Sequence, residues 1–321
     1  MTTRHSPLTT HHPWLHAWAV LTACATFVLL LLGAIVTTFR VGMADPIWPT
    51  YPWHLLLVSW EEPRPGFLVE HSHRLAGYIV GCGVIVLAVG LWRSDRRSVV
   101  RWLGVAALLG VIIQGLLGGF RVVLDRYLGN NLALIHGCFA QLVFGLLVIL
   151  AALTSRPTGV LRSKVGLRER RLWRICLATT GLIYLQIIFG ALFRHTYSTW
   201  AQREHLLTAF AVVAGTVWIV KETIDLPNRD KRLMRAVWCL AALVVVQLFL
   251  GVEAWMVRMT AVDVAWQAVI RTAHVLVGSL IFAASLVTTL RAYSHLASNV
   301  ERSDDIEPAS AQLREAEEVA V

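Results

Sequence analysis

Eight long apolar runs between Trp18 and Leu290 constrain the fold of this chain more than any other feature. Hydrophobic residues make up 56% of the 321 positions and charged residues only 15%, against about 25% charged residues in an ordinary soluble domain. A helix of about 20 apolar residues crosses the hydrocarbon core of a bilayer. The sequence therefore argues against a soluble enzyme and predicts an all-α integral membrane protein. Its predicted spans are Trp18–Thr38, His73–Trp92, Trp102–Val122, Leu132–Leu153, Leu172–Phe193, His205–Val220, Ala236–Met256 and Gln267–Leu290.

The basic residues are divided unevenly between the two ends of these spans. One end, together with both termini, carries 20 of the 29 lysine and arginine residues. Because cytoplasmic loops carry the excess of positive charge, both termini are predicted in the cytoplasm of a cell with a bacterial-type inner (plasma) membrane. The charges lie in short loops and form no continuous basic patch. The lipid bilayer is therefore the expected partner, and nucleic acid is not.

A short motif repeats along the chain. Spans three, five and seven each carry a glutamine followed four residues later by a glycine, and span one has the glycine with a leucine before it. Each even-numbered span is predicted to begin with a histidine. This periodicity predicts two pseudo-symmetric four-helix bundles related by duplication. The residues are Leu29 and Gly33, Gln114 and Gly118, Gln186 and Gly190, Gln247 and Gly251, and the histidines His73, His136, His205 and His274.

The repeat divides the chain into five segments. Residues 1–17 form a cytoplasmic amino-terminal segment, and residues 18–155 form the first four-helix half. A cytoplasmic linker of residues 156–171 leads to the second half, residues 172–292. Residues 293–321 are acidic and are predicted to be a solvated, mobile cytoplasmic tail.

The topology brings the four histidines to one depth near the outer membrane face, with one on each of two parallel helices in each half. Facing helices of a bundle build cofactor sites in this way, and histidine is a common axial ligand of heme iron. Zinc usually takes three or four ligands, more than either half offers. A hydrogen-bonded structural role explains any single histidine equally well, but four at repeated positions favour ligation. The predicted ligands of heme iron are His73, His136, His205 and His274.

Glu70 distinguishes the first half from the second, because it lies three residues before His73 and shares its helix face. It is either a helix N-terminal charge favoured by the dipole or a proton-transfer group, and the two roles are compatible. The asymmetry suggests that one half acts on a substrate and the other holds a cofactor. Arginines near the histidine plane suit either heme propionates or lipid headgroups: Arg74, Arg121, Arg194 and Arg271.

Several segments resemble the heme A synthase family. Glu70–Gly77 resembles its E-x-x-H-R segment, and Gly42–Thr50 resembles a variant of its first outer loop. Gln186–Thr196 is similar to its fifth-span signature. The segments Gln114–Gly119 and Arg271–His274, with His136 and His205, extend the resemblance over roughly residues 15–290.

The resemblance implies an activity and a division of labour. Members of the family oxidise the C8 methyl group of heme O to a formyl group, through an alcohol, and the product heme A goes to cytochrome oxidase. The implied substrate-heme ligands are His73 and His136, the implied ligands of a heme b cofactor are His205 and His274, and Glu70 takes the catalytic role. Heme O synthase and an unidentified electron donor are implied partners, and a homo-oligomer is left open.

One departure and one competing function qualify the resemblance. Many bacterial members carry a cysteine pair in the first outer loop, where this chain has Asp45 and Tyr51, so a disulfide-linked redox step is in doubt. The alternative function is a diheme membrane cytochrome that only transfers electrons, which explains the histidines but not Glu70. A transporter fits less well, since the polar groups lie at the outer edge instead of the midplane. Heme O synthase would need Asp-rich motifs, which the sequence lacks.

Overall fold

Eight long helices follow one another along the chain. The computed structural model describes residues 12–44, 48, 65–128, 130–155, 167–226, 230–260 and 263–319, and within these ranges it contains no strand. A one-turn helix, Asp125–Leu128, lies between the third and fourth long helices. The long helices are α1 (Pro13–Thr38), α2 (Pro65–Ser94), α3 (Ser98–Val123), α4 (Asn130–Thr154), α5 (Leu167–Thr196), α6 (Thr199–Ile224), α7 (Lys231–Met256) and α8 (Val264–Val319).

All eight helices are long and apolar enough to cross a membrane. Their most apolar windows have mean hydropathies of 1.5 to 2.6, and only 22% to 39% of each window is buried inside the protein. Large apolar side chains such as Phe210, Val217 and Phe249 are exposed. Such a surface needs lipid around it. The prediction of an all-α, eight-span membrane protein is confirmed.

The histidine-bearing helices begin earlier than the apolar pattern indicates. α2 begins at Pro65, not at His73, because proline suits the first turn of a helix, where its missing N–H is not needed. α6 begins at Thr199, where the Ser198 side chain accepts a hydrogen bond from the Ala201 N–H. The prediction that even-numbered spans begin with a histidine is therefore wrong. The histidines lie inside the helices, where the neighbouring helices surround them.

The helices bury two separate cores. α1 to α4 pack in a ring in which α4 returns to α1, and α5 to α8 form a ring of the same order. The first core centres on Leu87 and Leu147, and the second on Leu172 and Leu240, all fully buried. The described residues thus form two four-helix groups of matching neighbour order. Their relation by pseudo-symmetry stays a prediction.

The two groups meet along α1, α4, α5 and α8. Gly145 of α4 allows α8 to approach closely, since a Cβ there would lie 2.8 Å from the Phe282 ring. The Tyr184 hydroxyl of α5 donates to the Cys138 carbonyl of α4 over 3.3 Å. These contacts fix one group against the other.

The predicted linker and tail are partly helical. α5 begins at Leu167, within the segment predicted as linker, and the backbone of α8 stays helical through Val319. The mobility of the tail and the cytoplasmic position of both termini stay predictions. We call the end of the bundle where the odd helices finish and the even helices begin the histidine end, and the opposite end the terminal end.

Candidate functional site: two histidine pairs

The four predicted histidines form two pairs at the histidine end. The rings of His73 (α2) and His136 (α4) have centroids 6.5 Å apart and planes inclined by 75°. The rings of His205 (α6) and His274 (α8) have centroids 6.2 Å apart and planes inclined by 71°. The two halves therefore hold nearly identical histidine pairs, each joining the two even helices of its own half.

Each histidine ring lies against the repeated glycine of the preceding odd helix. A Cβ on Gly33 would lie 3.0 Å from Cε1 of the His73 ring, and a Cβ on Gly190 would lie 2.8 Å from Cε1 of the His205 ring. At Gly118 and Gly251 the corresponding distances to His136 and His274 are both 3.3 Å. The glycine is needed because any side chain would press on the ring. The motif identified in the sequence thus builds four equivalent ring pockets.

The glutamines of the motif bind the helices that carry the histidines. Nε2 of Gln114 and of Gln247 each donates to the backbone carbonyl of its histidine, His136 or His274, over 3.0 Å. Gln186 acts differently, since its backbone carbonyl accepts a 3.1 Å hydrogen bond from Nδ1 of His205. A carbonyl partner at one ring nitrogen fixes the orientation of the other.

Both pairs fit two axial ligands of one metal. An imidazole–metal bond is roughly 2 Å long, so two rings facing each other across one ion have centres roughly 6 Å apart. Among the described residues no group of three or more His, Cys, Asp or Glu side chains gathers to hold a metal ion. The donor set at each pair is therefore two imidazoles in an apolar bundle, which suits heme iron. The Nδ1 atoms of His73 and His274 are buried without a hydrogen bond.

Glu70 and Arg74 form a buried ion pair one turn from His73. The Arg74 guanidinium donates to Oε1 of Glu70 over 2.7 Å, and their side chains are 11% and 5% exposed. The sequence placed Arg74 near a heme propionate and did not predict this pair. A buried carboxylate needs such a partner. His71, which the helical spacing turns away from His73, is fully buried and stacks on Phe67 at 5.2 Å.

The other three predicted arginines have different surroundings. Arg121 lies within electrostatic range of His73 and His136. Arg194 donates to the Ala34 carbonyl over 3.1 Å and to the Thr38 hydroxyl over 2.7 Å, so it reaches from α5 to α1. Arg271 donates to Oε1 of Gln267 over 3.3 Å at an exposed position. Contacts with propionates stay predictions for all of them.

Replacing Arg194 with Gln should destabilise the contact between the halves. Hydrogen bonds from a charged donor are each worth about 1.5–3 kcal/mol, and Arg194 makes two to α1. We expect a clear fall in the thermal unfolding midpoint of the purified protein in detergent. Arg203→Gln, at an exposed position on the neighbouring helix, is the control and should leave the midpoint within a degree or two. Equal midpoints for both variants would contradict the bridging role.

Some contacts between the halves were not predicted from the sequence. Arg40 and Tyr197, at the ends of α1 and α5, both have left-handed backbones, with φ of 55° and 56°. The Arg40 guanidinium donates to the Tyr197 hydroxyl over 2.6 Å. Each residue lies seven positions after its helix's motif glycine, and this spacing was the available signal. Asp45 and Tyr51, the positions of the family's cysteines, lie outside the described residues.

Part of this chain is similar to known proteins. The family model described as cytochrome oxidase assembly protein (COX15-CtaA) matches residues 52–204, which include Glu70, His73 and His136. A heme A synthase of Shouchella clausii (strain KSM-K16) is 28% identical over 191 residues, 59% of this chain and 62% of the relative. A heme A synthase of Lysinibacillus sphaericus (strain C3-41) is 28% identical over 192 residues, 59% of this chain and 61% of the relative.

A third relative matches a shorter segment. The heme A synthase of Alkalihalophilus pseudofirmus is 31% identical over 116 residues, 36% of this chain and 38% of the relative. The chain thus spans about three fifths of the length of the first two curated relatives that it matches. The family resemblance read from the Glu70–Gly77 segment and the repeated motif is confirmed. Over residues 52–204 the chain is similar to the COX15-CtaA family of cytochrome oxidase assembly proteins, and the curated relatives that it matches are named heme A synthase.

Proposed function

We propose that this protein is a heme A synthase, an oxidoreductase that converts the C8 methyl group of heme O to a formyl group, through an alcohol, for cytochrome oxidase. One observation carries the proposal: there are two matching, partly buried histidine pairs, and among the described residues the first alone has a buried carboxylate one turn before a histidine of the pair. Counting from the histidines, the positions of Glu70 and Arg74 in the first half correspond to Gln202 and Leu206 in the second. The second half therefore has no charged pair there.

The first pair is the proposed substrate site. His73 and His136 would hold heme O by its iron, and Glu70 lies one helical turn before His73 on the same helix. Oxidation of a carbon–hydrogen bond releases protons, and a carboxylate held in place can accept them. Arg74 fixes the Glu70 carboxylate and balances its charge inside the bundle. Arg121, within electrostatic range of both histidines, is a proposed propionate contact on this side.

The second pair is the proposed cofactor site. His205 and His274 would hold heme b, which when bound supplies one-electron transfer. The position that corresponds to Glu70 is Gln202 in this half, so the second pair has no carboxylate at the place where the first pair has one. Arg194 and Arg271 are the proposed propionate contacts on this side. The protein would lie in a bacterial-type plasma membrane with both sites near the outer face, and heme O synthase and an electron donor would be its partners.

Heme analysis tests the activity. Cells that make this chain together with a heme O synthase should contain heme A or its alcohol intermediate, detected by extraction and mass spectrometry. His73→Ala should remove both products, because the substrate iron loses a ligand, while the purified variant keeps the heme held by His205 and His274. His16→Gln, at the terminal end, is the control and should make product normally.

The diheme cytochrome is the second candidate, favoured by the near-identical geometry of the two pairs. It predicts that both pairs hold heme b tightly and that heme O is left unchanged when an electron donor is present. That result would overturn the proposed oxidase.

A further inference from the structure

The two halves differ at the residues that hold the first histidine of each pair. Gly33 and Gly190 face His73 and His205 in the same way, so four residues earlier Leu29 corresponds to Gln186. Three residues after each histidine, Ala76 of α2 corresponds to Thr208 of α6. The first half thus has two apolar side chains where the second has two polar ones.

In the second half these polar residues join α5 to α6. The Thr208 hydroxyl lies in hydrogen-bonding contact with Oε1 of Gln186 across the two helices, beside the Glu204 carbonyl of its own helix. The backbone carbonyl of Gln186 accepts from Nδ1 of His205 over 3.1 Å. A single residue of α5 therefore holds both the ring of His205 and the turn of helix that follows it. We call this pair of contacts the α5–α6 lock.

In the first half no equivalent lock exists between α1 and α2 among the described residues. Neither Leu29 nor Ala76 has a side-chain group that can form a hydrogen bond. Nδ1 of His73 is buried without a hydrogen-bond partner. The ring packs on Gly33 and lies near the Leu29 backbone carbonyl, but Leu29 has no polar side chain to reach across to α2 as Gln186 of α5 reaches across to Thr208 of α6. His136, the other ligand of this half, is secured by Gln114.

The chain connections reinforce the difference. Only Tyr197 and Ser198 separate α5 from α6, so the start of α6 follows closely from the end of α5. Residues 39–64 separate α1 from α2. The helix that carries His73 therefore lacks both the short connection and the polar lock that restrain the helix carrying His205.

We propose that the α5–α6 lock makes His205 a permanent ligand, and that Leu29 and Ala76 make His73 the exchangeable ligand through which heme enters and leaves the first site. The inference rests on the proposed function only in naming that heme as the substrate. An enzyme that modifies one heme while retaining another needs one site that releases and one that does not. The absence of a Gln–Thr pair in the first half provides this difference.

Heme transfer measures the exchange directly. The full-length protein, purified in detergent and loaded with hemin as the probe for both sites, is mixed with excess apomyoglobin. The wild type should lose heme in a fast and a slow phase, with His73→Ala removing the fast phase and His205→Ala the slow one. Leu29→Gln with Ala76→Thr should slow the fast phase about tenfold, and Gln186→Leu with Thr208→Ala should speed the slow phase about tenfold.

A matched control isolates the cross-helix bond. Thr216 is buried on α6 two turns after Thr208, and its hydroxyl donates to the Val212 carbonyl of its own helix. Thr216→Ala should leave both phases unchanged. The absorbance of the six-coordinate, bis-histidine heme reports whether each variant is folded and loaded. If the variant with Leu29→Gln and Ala76→Thr fails to fold, the variant with Gln186→Leu and Thr208→Ala tests the proposal by itself.

Failure of this inference is separable from failure of the proposed function. Transfer phases that stay within twofold of the wild type in both double variants, with the heme spectrum intact, would overturn the lock. If the wild type makes no heme A in the presence of a competent electron donor, the proposed synthase activity is wrong. The heme-transfer rates would still test the role of the α5–α6 lock.

Discussion

Glu70→Gln should reduce heme A formation by about a hundredfold or more while leaving both hemes bound. Glutamine has the shape of glutamate and can still accept the hydrogen bond from Arg74, but it cannot take up a proton. Loss of a positioned proton acceptor typically costs about 10²–10⁴ in rate. The measurement is heme A and its alcohol intermediate in extracts of cells that also make heme O, with the heme content of the purified variant determined in parallel. Glu70→Asp should recover part of the activity.

The chain offers a matched control for Glu70. Glu222 is also a buried glutamate on a spanning helix, and it accepts from Nε1 of Trp218 over 3.0 Å and from Arg171 over 3.1 Å. It lies near the terminal end, away from both histidine pairs. Glu222→Gln should therefore leave heme A formation near the wild-type level. A Glu70→Gln variant that made heme A normally would disprove the catalytic role of this carboxylate.

Gly190→Ala should weaken or abolish heme binding at the second site alone. Its Cβ would lie 2.8 Å from Cε1 of His205, closer than packed atoms can approach, so the ring has to move away from the position that ligation needs. Overpacking of this kind costs about 1–3 kcal/mol, which corresponds to roughly a fivefold to hundredfold loss of heme affinity. Titration of the purified protein with hemin, followed by the spectrum of six-coordinate heme, measures the effect.

A second glycine on the same helix separates this effect from a loss of helix flexibility. A Cβ on Gly181 would meet nothing within 4 Å. Gly181→Ala should bind two hemes as the wild type does, with equal or slightly higher stability because alanine favours the helix. Equal heme affinities of the Gly190 and Gly181 variants would show that the ring pocket does not limit ligation.

The sequence predicted the features that depend on repetition. The eight spans followed from hydropathy, and the four histidines with their glycines followed from a motif that recurs once per helix pair. One copy of the motif is weak evidence by itself, but four copies at one depth indicate that the four histidines share a role. The ring pockets at Gly33 and Gly190 are what that motif builds. Helix starts were less predictable, because polar residues such as Glu70–Arg74 in α2 and Gln202–Glu204 in α6 interrupt the apolar pattern near the starts of these helices.

Contacts between distant parts of the chain were not predictable in this way. The bond from Arg194 to Ala34 joins residues 160 positions apart, and no local pattern encodes such a pairing. The Glu70–Arg74 pair was within reach, since residues four apart on a helix are neighbours. The sequence analysis did not predict this ion pair, because it interpreted Arg74 as a contact for a heme propionate. For Leu29 the sequence showed only that this position lacks the glutamine found in the other three copies of the motif.

The bond from Arg194 to α1 has a consequence for assembly. Arg194 lies one helical turn after Gly190, which packs against the His205 ring, and it donates to the carbonyl of Ala34, the residue directly after Gly33, which packs against the His73 ring. One guanidinium thus links the surroundings of the two rings. With the proposed assignment of the two sites, binding of heme by the His205 pair should therefore bias the position of the His73 ring, and the order in which the two hemes bind should affect assembly of the protein.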